Sequence, residues 1–108
     1  MKNINNNTVE LVPLDSIIMI QSNGKSCIIH TITAKHQVNY QLCQLEEDLE
    51  EFGFIRINKF NIVNYRHILA ILHTEDVIVK LSDYTDLVVT PNYLRNLENL
   101  ILEFSISA

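Results

Sequence analysis

The sequence predicts a mainly β domain with one short internal helix and one C-terminal helix. Three observations carry that fold class. Apolar and β-branched residues recur in short runs that are either continuous or alternate with period two, as strands require. Leucines at spacings of three and four are confined to two segments, about residues 42–52 and 91–104. The chain has 108 residues and is 47% apolar, enough for one modest core and too short for a second.

Residues 1–12, opening MKNINNNTVE, read as a polar lead-in without a hydrophobic targeting core. The domain is expected over 13–104, with 105–108 as a tail. Ile17 to Ile20 (IIMI) is a continuous apolar run, as in a strand buried on both faces. Gln21 to Lys25 (QSNGK) is a turn, because Asn-Gly suits the positive-φ conformations of tight hairpins. Ser26 to Thr33 (SCIIHTIT) is the returning strand, rich in β-branched residues. Gln37 to Gln41 is another short strand. Leu42, Leu45, Leu49 and Phe52 then build one apolar stripe on a short helix whose solvated face is EEDLEE, Glu46 to Glu51.

After Gly53, Phe54, Ile55 and Ile57 enclose Arg56, and Ile62-Val63 follow a corner at Asn58–Asn61. His67 to His73 and Val77 to Leu81 read as a strand pair, Ser82 to Thr85 as a turn, and Leu87 to Val89 as a last strand. Thr90-Pro91 is a good helix start, since Thr can cap the first turn and proline is tolerated at its first position. Tyr93, Leu94, Leu97, Leu100, Ile101 and Phe104 form the apolar face of that helix.

Chemistry is sparse. With two glycines there is no phosphate-binding glycine loop, and neither a nucleophile elbow nor HExxH is present, so an enzyme is not expected. Cys27 and Cys43 lack the spacing of a zinc or redox site and read as two buried small hydrophobes. The four histidines read as ordinary core or surface residues. No metal, no cofactor and no membrane span are expected, and the cytoplasm is the default compartment.

Charge is distributed unevenly. The net charge is −5, yet Ser16–Leu45 and Phe52–Thr74 contain no acid, while Glu46 to Glu51 hold five of the thirteen. The stretch FIRINKFNIVNYRHI, Phe54 to Ile68, gathers Arg56, Lys59 and Arg66 with Asn58, Asn61 and Asn64. Arg and Lys donate to phosphate or guanine, and Asn can pair with adenine, so a basic nucleic-acid-binding face can coexist with the acidic total. Turn-forming asparagines and exposed strand arginines are the structural alternative.

The order of these residues resembles the LytTR family of bacterial DNA-binding domains, common as output modules of two-component response regulators. Its central signature, F-x-R-[IV]-H-[RK]-S-[YF]-[IL]-V-N, is similar to Phe54 through Asn64, followed by Ile68. The helix pattern L-x-x-L-E-x-x-L is met at Leu42 to Leu49, and the later strand and helix start at Val79–Asp83 and Val89–Tyr93. The resemblance covers about residues 13 to 102. Three positions depart from it: Asn58 stands at the family's histidine, Phe60 at its serine and Pro91 at its later arginine. Phe60 reads as packed, with an exposed contact as the alternative. Pro91 removes a charge and an N–H, so one backbone contact is expected to be lost.

The resemblance implies an elongated arrangement of small antiparallel sheets whose loops enter successive major grooves of double-stranded DNA. The loop Gln21–Lys25, the corner Asn58–Asn61 and the helix start at Asn92 would face the duplex. Asn23, Asn58, Lys59 and Asn92 would lie near bases, with Lys25, Arg56 and Arg95 on phosphates; Arg56 has pairing with the EEDLEE helix as an equal alternative. A homodimer on DNA direct repeats and a receiver domain or sensor partner are further expectations. The competing function is a protein-interaction or dimerisation module of the same fold with weak or no DNA binding.

Overall fold

A computed structural model describes residues 2–5 and 8–105, with side chains from Leu11 to Glu103. Among the described residues, strands β1 (Lys2–Asn5) and β2 (Thr8–Leu11) pair antiparallel, so the segment expected as a polar lead-in carries a two-stranded sheet. The main sheet has five antiparallel strands: β3 (Ile17–Asn23), β4 (Ser26–Thr31), β5 (Lys35–Val38), β6 (Phe54–Asn58) and β7 (Asn61–Asn64), in the order β5-β4-β3-β7-β6. A second sheet holds β8 (Ile68–His73), β9 (Val77–Leu81) and β10 (Asp86–Val89), with β9 central. Helix α1 (Leu42–Leu49) joins β5 to β6, and α2 (Pro91–Ser105) follows β10. The predicted fold class is observed, in a body of 44 × 29 × 24 Å.

The five-stranded sheet is buried on both sides. Leu42, Leu45 and Leu49 of α1 cover one face with Ile20, Ile29, Phe54 and Ile62. The other face, with Ile18, Met19, Ile57 and Val63, packs against Val79, Leu81, Val89 and Leu97 of the second sheet and α2. This is why Ile17 to Ile20 is apolar throughout. Simple alternation would send Ile17 and Met19 to one face, yet Ile17 and Ile20 share a core while Ile18 and Met19 share the other. A register shift between Ile17 and Met19 in the β3–β4 pairing resets the parity, as a bulge does.

Several local expectations are corrected. The α-helix ends at Leu49, and Glu50–Phe52 continue as a 3-10 turn, which swings Phe52 off the stripe and leaves it 43% exposed. Cys27 is buried as expected, but Cys43 lies on the outer side of α1 and is exposed. The β3–β4 loop is shorter than QSNGK: Asn23 pairs with Ser26, leaving Gly24 and Lys25 as the central residues. Gly24 has φ +65° and Lys25 is outside the positive-φ set, the pattern of a II′ turn with glycine in its first central place. Strand β4 ends at Thr31 rather than Thr33, and its neighbour runs over Lys35–Val38 rather than 37–41. His67 lies in a 3-10 turn before β8; its Nε2 donates to the Asp15 carbonyl (2.6 Å) and Nδ1 meets the Ser82 hydroxyl (2.8 Å). Phe104 and residues 106–108 of the expected tail lie outside the residues whose side chains are described.

One fully buried polar side chain fastens the sheet to its surroundings. Asn64 donates to the carbonyls of Leu14 (3.2 Å) and Ile17 (2.8 Å) and accepts from Arg66 N and Nη1. Arg66 also donates to the Phe52 carbonyl at 2.7 Å. Each polar atom of Asn64 therefore has a protein partner, which offsets the penalty of burying an amide.

Gly53 caps the 3-10 turn at φ +88°, and a Cβ there would overlap the Tyr65 ring. Gly24 has open space around it. Gly53→Ala is expected to lose about 2–4 kcal/mol in chemical denaturation, from left-handed strain plus displacement of the ring. Gly24→Ala should lose about 1–2 kcal/mol, from strain alone. Equal losses would contradict the Tyr65 contact.

Candidate nucleic-acid interface

The three segments expected to face DNA converge. At the β3 end, Gln21 pairs with Asn61, and Ser22 N donates to the Phe60 carbonyl at 2.8 Å, which sets the β3–β4 hairpin beside the β6–β7 corner. On the other side of that corner, Asn58 Nδ2 donates to the Val88 carbonyl (2.8 Å) and Thr90 N to the Ile57 carbonyl (3.0 Å). These bonds set the start of α2 against the same end of β6. The helix starts with a backbone turn, Tyr93 N to Thr90 O at 2.9 Å, while the Thr90 hydroxyl donates to Asn92 Oδ1 at 2.9 Å.

The corner is organised by Arg56. Strand alternation puts Ile55 and Ile57 on the core shared with the second sheet, so Arg56 projects toward α1. Its Nη1 pairs with Glu46 Oε1 at 3.0 Å, Nε donates to the Asn58 carbonyl at 3.2 Å and Nη2 to the Lys59 carbonyl at 2.6 Å. The guanidinium carbon lies 5.8 Å from the centre of the Tyr93 ring on α2, within cation–π range. The side chain is 16% exposed. Of the two expected roles for Arg56, pairing with the acidic helix is the one present in the structure.

Asn58 is engaged on both sides of its amide. Oδ1 accepts from Phe60 N (2.8 Å) and from Asn61 Nδ2 (3.1 Å), while Nδ2 reaches Val88 O. The first of these bonds is an Asx turn that reverses the chain at the corner. Asn61 keeps its Oδ1 buried without a hydrogen-bond partner. What the corner turns outward is Lys59 and Phe60, both exposed. Phe60 is 58% exposed, against the expectation that it packs: the tight Asx turn leaves no core position for its ring. Lys59 Nζ stands 5.8 Å from the centre of that ring.

Around this edge Asn23, Lys25, Asn92 and Arg95 are exposed. Among the described residues, Arg56, Arg66 and Lys80 are in ion pairs, with Glu46, Asp15 and Asp86. Among the residues whose side chains are described, Lys25, Lys35, Lys59 and Arg95 are the other lysines and arginines, and none of them is in an ion pair. Three of those four come from the segments that converge here. The sequence favours a packed Phe60, with an exposed contact as the alternative; the alternative is the one observed, and its place between two asparagines in a tight corner is the signal for it. No group of three metal-capable side chains occurs among the described residues, and no helix there is long and apolar enough to cross a membrane.

Arg56→Met removes three donors from the corner and is expected to lower stability by about 1–3 kcal/mol in urea denaturation. Glu46→Gln should lose less than about 1 kcal/mol, because Glu46 is partly exposed and the two carbonyl bonds of Arg56 remain. Equal effects would mean that the ion pair alone holds Arg56.

Comparison with known proteins agrees with this architecture. The family model of the LytTr DNA-binding domain matches residues 7–102. Among solved structures, one described as the LytTr DNA-binding domain of a methyl-accepting/DNA response regulator from Bacillus cereus superposes with a TM-score of 0.81. It is 20% identical in sequence, and the match covers 94% of each chain. No curated protein shows a significant match. By the family match over nearly its whole length, the chain belongs to the LytTR family of DNA-binding domains.

Proposed function

We propose that the domain binds double-stranded DNA sequence-specifically in bacterial transcription regulation, through the edge where the β3–β4 hairpin, the β6–β7 corner and the start of α2 meet. The observation that carries this reading is the convergence of three segments whose cations, Lys25, Lys59 and Arg95, are without acidic partners. Exposed lysines and arginines on one edge attract phosphates even when net charge is negative, because screening limits the acids' reach to roughly 8–10 Å. Insertion of loops into successive major grooves of the duplex is part of this proposal.

In this reading Asn23, Lys59 and Asn92 approach base edges, and Lys25 and Arg95 neutralise phosphates. Arg56 and Asn58 act as positioning residues, since their polar atoms hold the corner. A two-component setting, with a receiver domain or sensor as partner, agrees with the response-regulator relative. A homodimer on direct repeats would double the phosphate contacts.

The second reading, an interaction or dimerisation module, is favoured by one feature. Strand β8 is an edge strand, and beside α2 it forms an apolar groove with hollows of about 260 and 340 Å³ lined by Leu69, Ile71, Leu94, Ile101 and Leu102. It lies apart from the corner, so the two readings can be tested separately.

Affinity for duplex DNA measured at several salt concentrations distinguishes them. Lys59→Gln should lower the salt slope by about one unit, and Lys59→Glu should weaken binding further by placing a negative charge against phosphates. Glu47→Lys, on the exposed face of α1, should leave binding unchanged or slightly stronger. Equal affinities for folded wild type and Lys59→Glu would remove the corner from the interface and favour the interaction module.

A further inference from the structure

We propose that Phe60 reads a thymine through its C5-methyl group in the major groove. This rests on the DNA-binding reading above and adds to it the residue and the base feature that set specificity at the corner. Most polar side chains of the corner are already committed within the protein. Arg56 directs its guanidinium to Glu46 and to the carbonyls of Asn58 and Lys59. Both acceptor positions of Asn58 Oδ1 are filled, and its amide nitrogen is bonded to Val88. Asn61 donates to Asn58 and has its oxygen buried. The polar side chains that would read a base by hydrogen bonds are thus turned into the protein, and Lys59 and Phe60 remain outside.

Phe60 is also held in place. Its N–H is bonded to Asn58 Oδ1 at 2.8 Å and its carbonyl accepts from Ser22 N at 2.8 Å, so both flanks of the residue are tied while its ring stays 58% exposed. An exposed aromatic ring on a polar corner adds little to the fold, and the tied backbone that carries it lowers the ordering entropy of any contact it makes. A phenyl ring has no hydrogen bond to offer. The one apolar group on a major-groove base edge is the thymine methyl. Lys59 Nζ, 5.8 Å from the ring centre, brings a cation to the same point, suited to a neighbouring guanine or phosphate. Insertion as a wedge from the minor groove fits less well. The Ser22–Phe60 bond makes the tip part of a broad body, which suits a groove about 12 Å wide rather than one of about 6 Å.

The test uses a duplex recovered by wild-type protein from a random-sequence library, resynthesised with deoxyuridine in place of each thymine in turn. That exchange removes one methyl group and nothing else from the major-groove edge. Wild type should lose roughly fourfold in affinity at one or two positions, the size of one methyl group withdrawn from an apolar contact. Phe60→Ala should bind the unmodified duplex more weakly and be indifferent to deoxyuridine at those positions. Phe60→Leu should keep part of the dependence. Because the effect is read as coupling between side chain and methyl, a change in DNA shape common to both proteins cancels. Wild-type indifference at every thymine would overturn the proposal and leave DNA binding standing, as would an undiminished dependence in folded Phe60→Ala. Recovery of no preferred duplex would instead count against the DNA-binding reading, and the proposal would fall with it.

Discussion

The guanidinium of Arg56 is the constraint on which the rest of the interface depends. It joins three parts of the chain that share no strand pairing: the acid of α1 through Glu46, the corner through the carbonyls of Asn58 and Lys59, and the start of α2 through the Tyr93 ring. Placing an arginine where it is 16% exposed carries a desolvation penalty. Three directed charge-assisted bonds, one of them an ion pair, offset it. The consequence is a corner whose backbone is shaped by the protein before any ligand arrives. Asn58 completes it by fastening the corner to β10, so that hairpin, corner and helix start are bonded into one edge.

This arrangement resolves the apparent conflict between an acidic chain and a DNA-binding family. The acids of Glu46 to Glu51 sit on α1 and the 3-10 turn that follows it, and one of them, Glu46, neutralises the only arginine of the corner. What reaches solvent at the edge is Lys25, Lys59 and Arg95. Net charge describes the field at a distance, while phosphate neutralisation depends on cations within a few ångströms of the backbone.

Much of the fold was legible in the sequence because burial leaves a periodic trace. Ile17 to Ile20 announced a strand buried on both faces, and Leu42, Leu45 and Leu49 announced one side of α1. The bulge that resets parity in β3 left no such trace, since every residue around it is apolar. The strand pair in residues 2–11 was hidden by asparagines, whose composition signals loops. At the candidate site, composition found the segments but not the roles. An asparagine or arginine has the same chemistry whether it faces a base or a carbonyl of its own chain, and only the three-dimensional neighbours of Arg56 and Asn58 decide between them. Phe60 was misread for the complementary reason: large apolar residues default to the core, and a tight turn overrides that default.

The central claim is that the corner is already rigid in the free protein. Amide hydrogen exchange of the free domain, followed residue by residue by NMR, tests it directly. The account predicts that the Phe60 and Ser22 amides, bonded to Asn58 Oδ1 and to the Phe60 carbonyl, exchange as slowly as amides within the β3–β7 pairing. Exchange of both at the rate of an unprotected loop would contradict it, and would mean that the corner takes its shape only on binding.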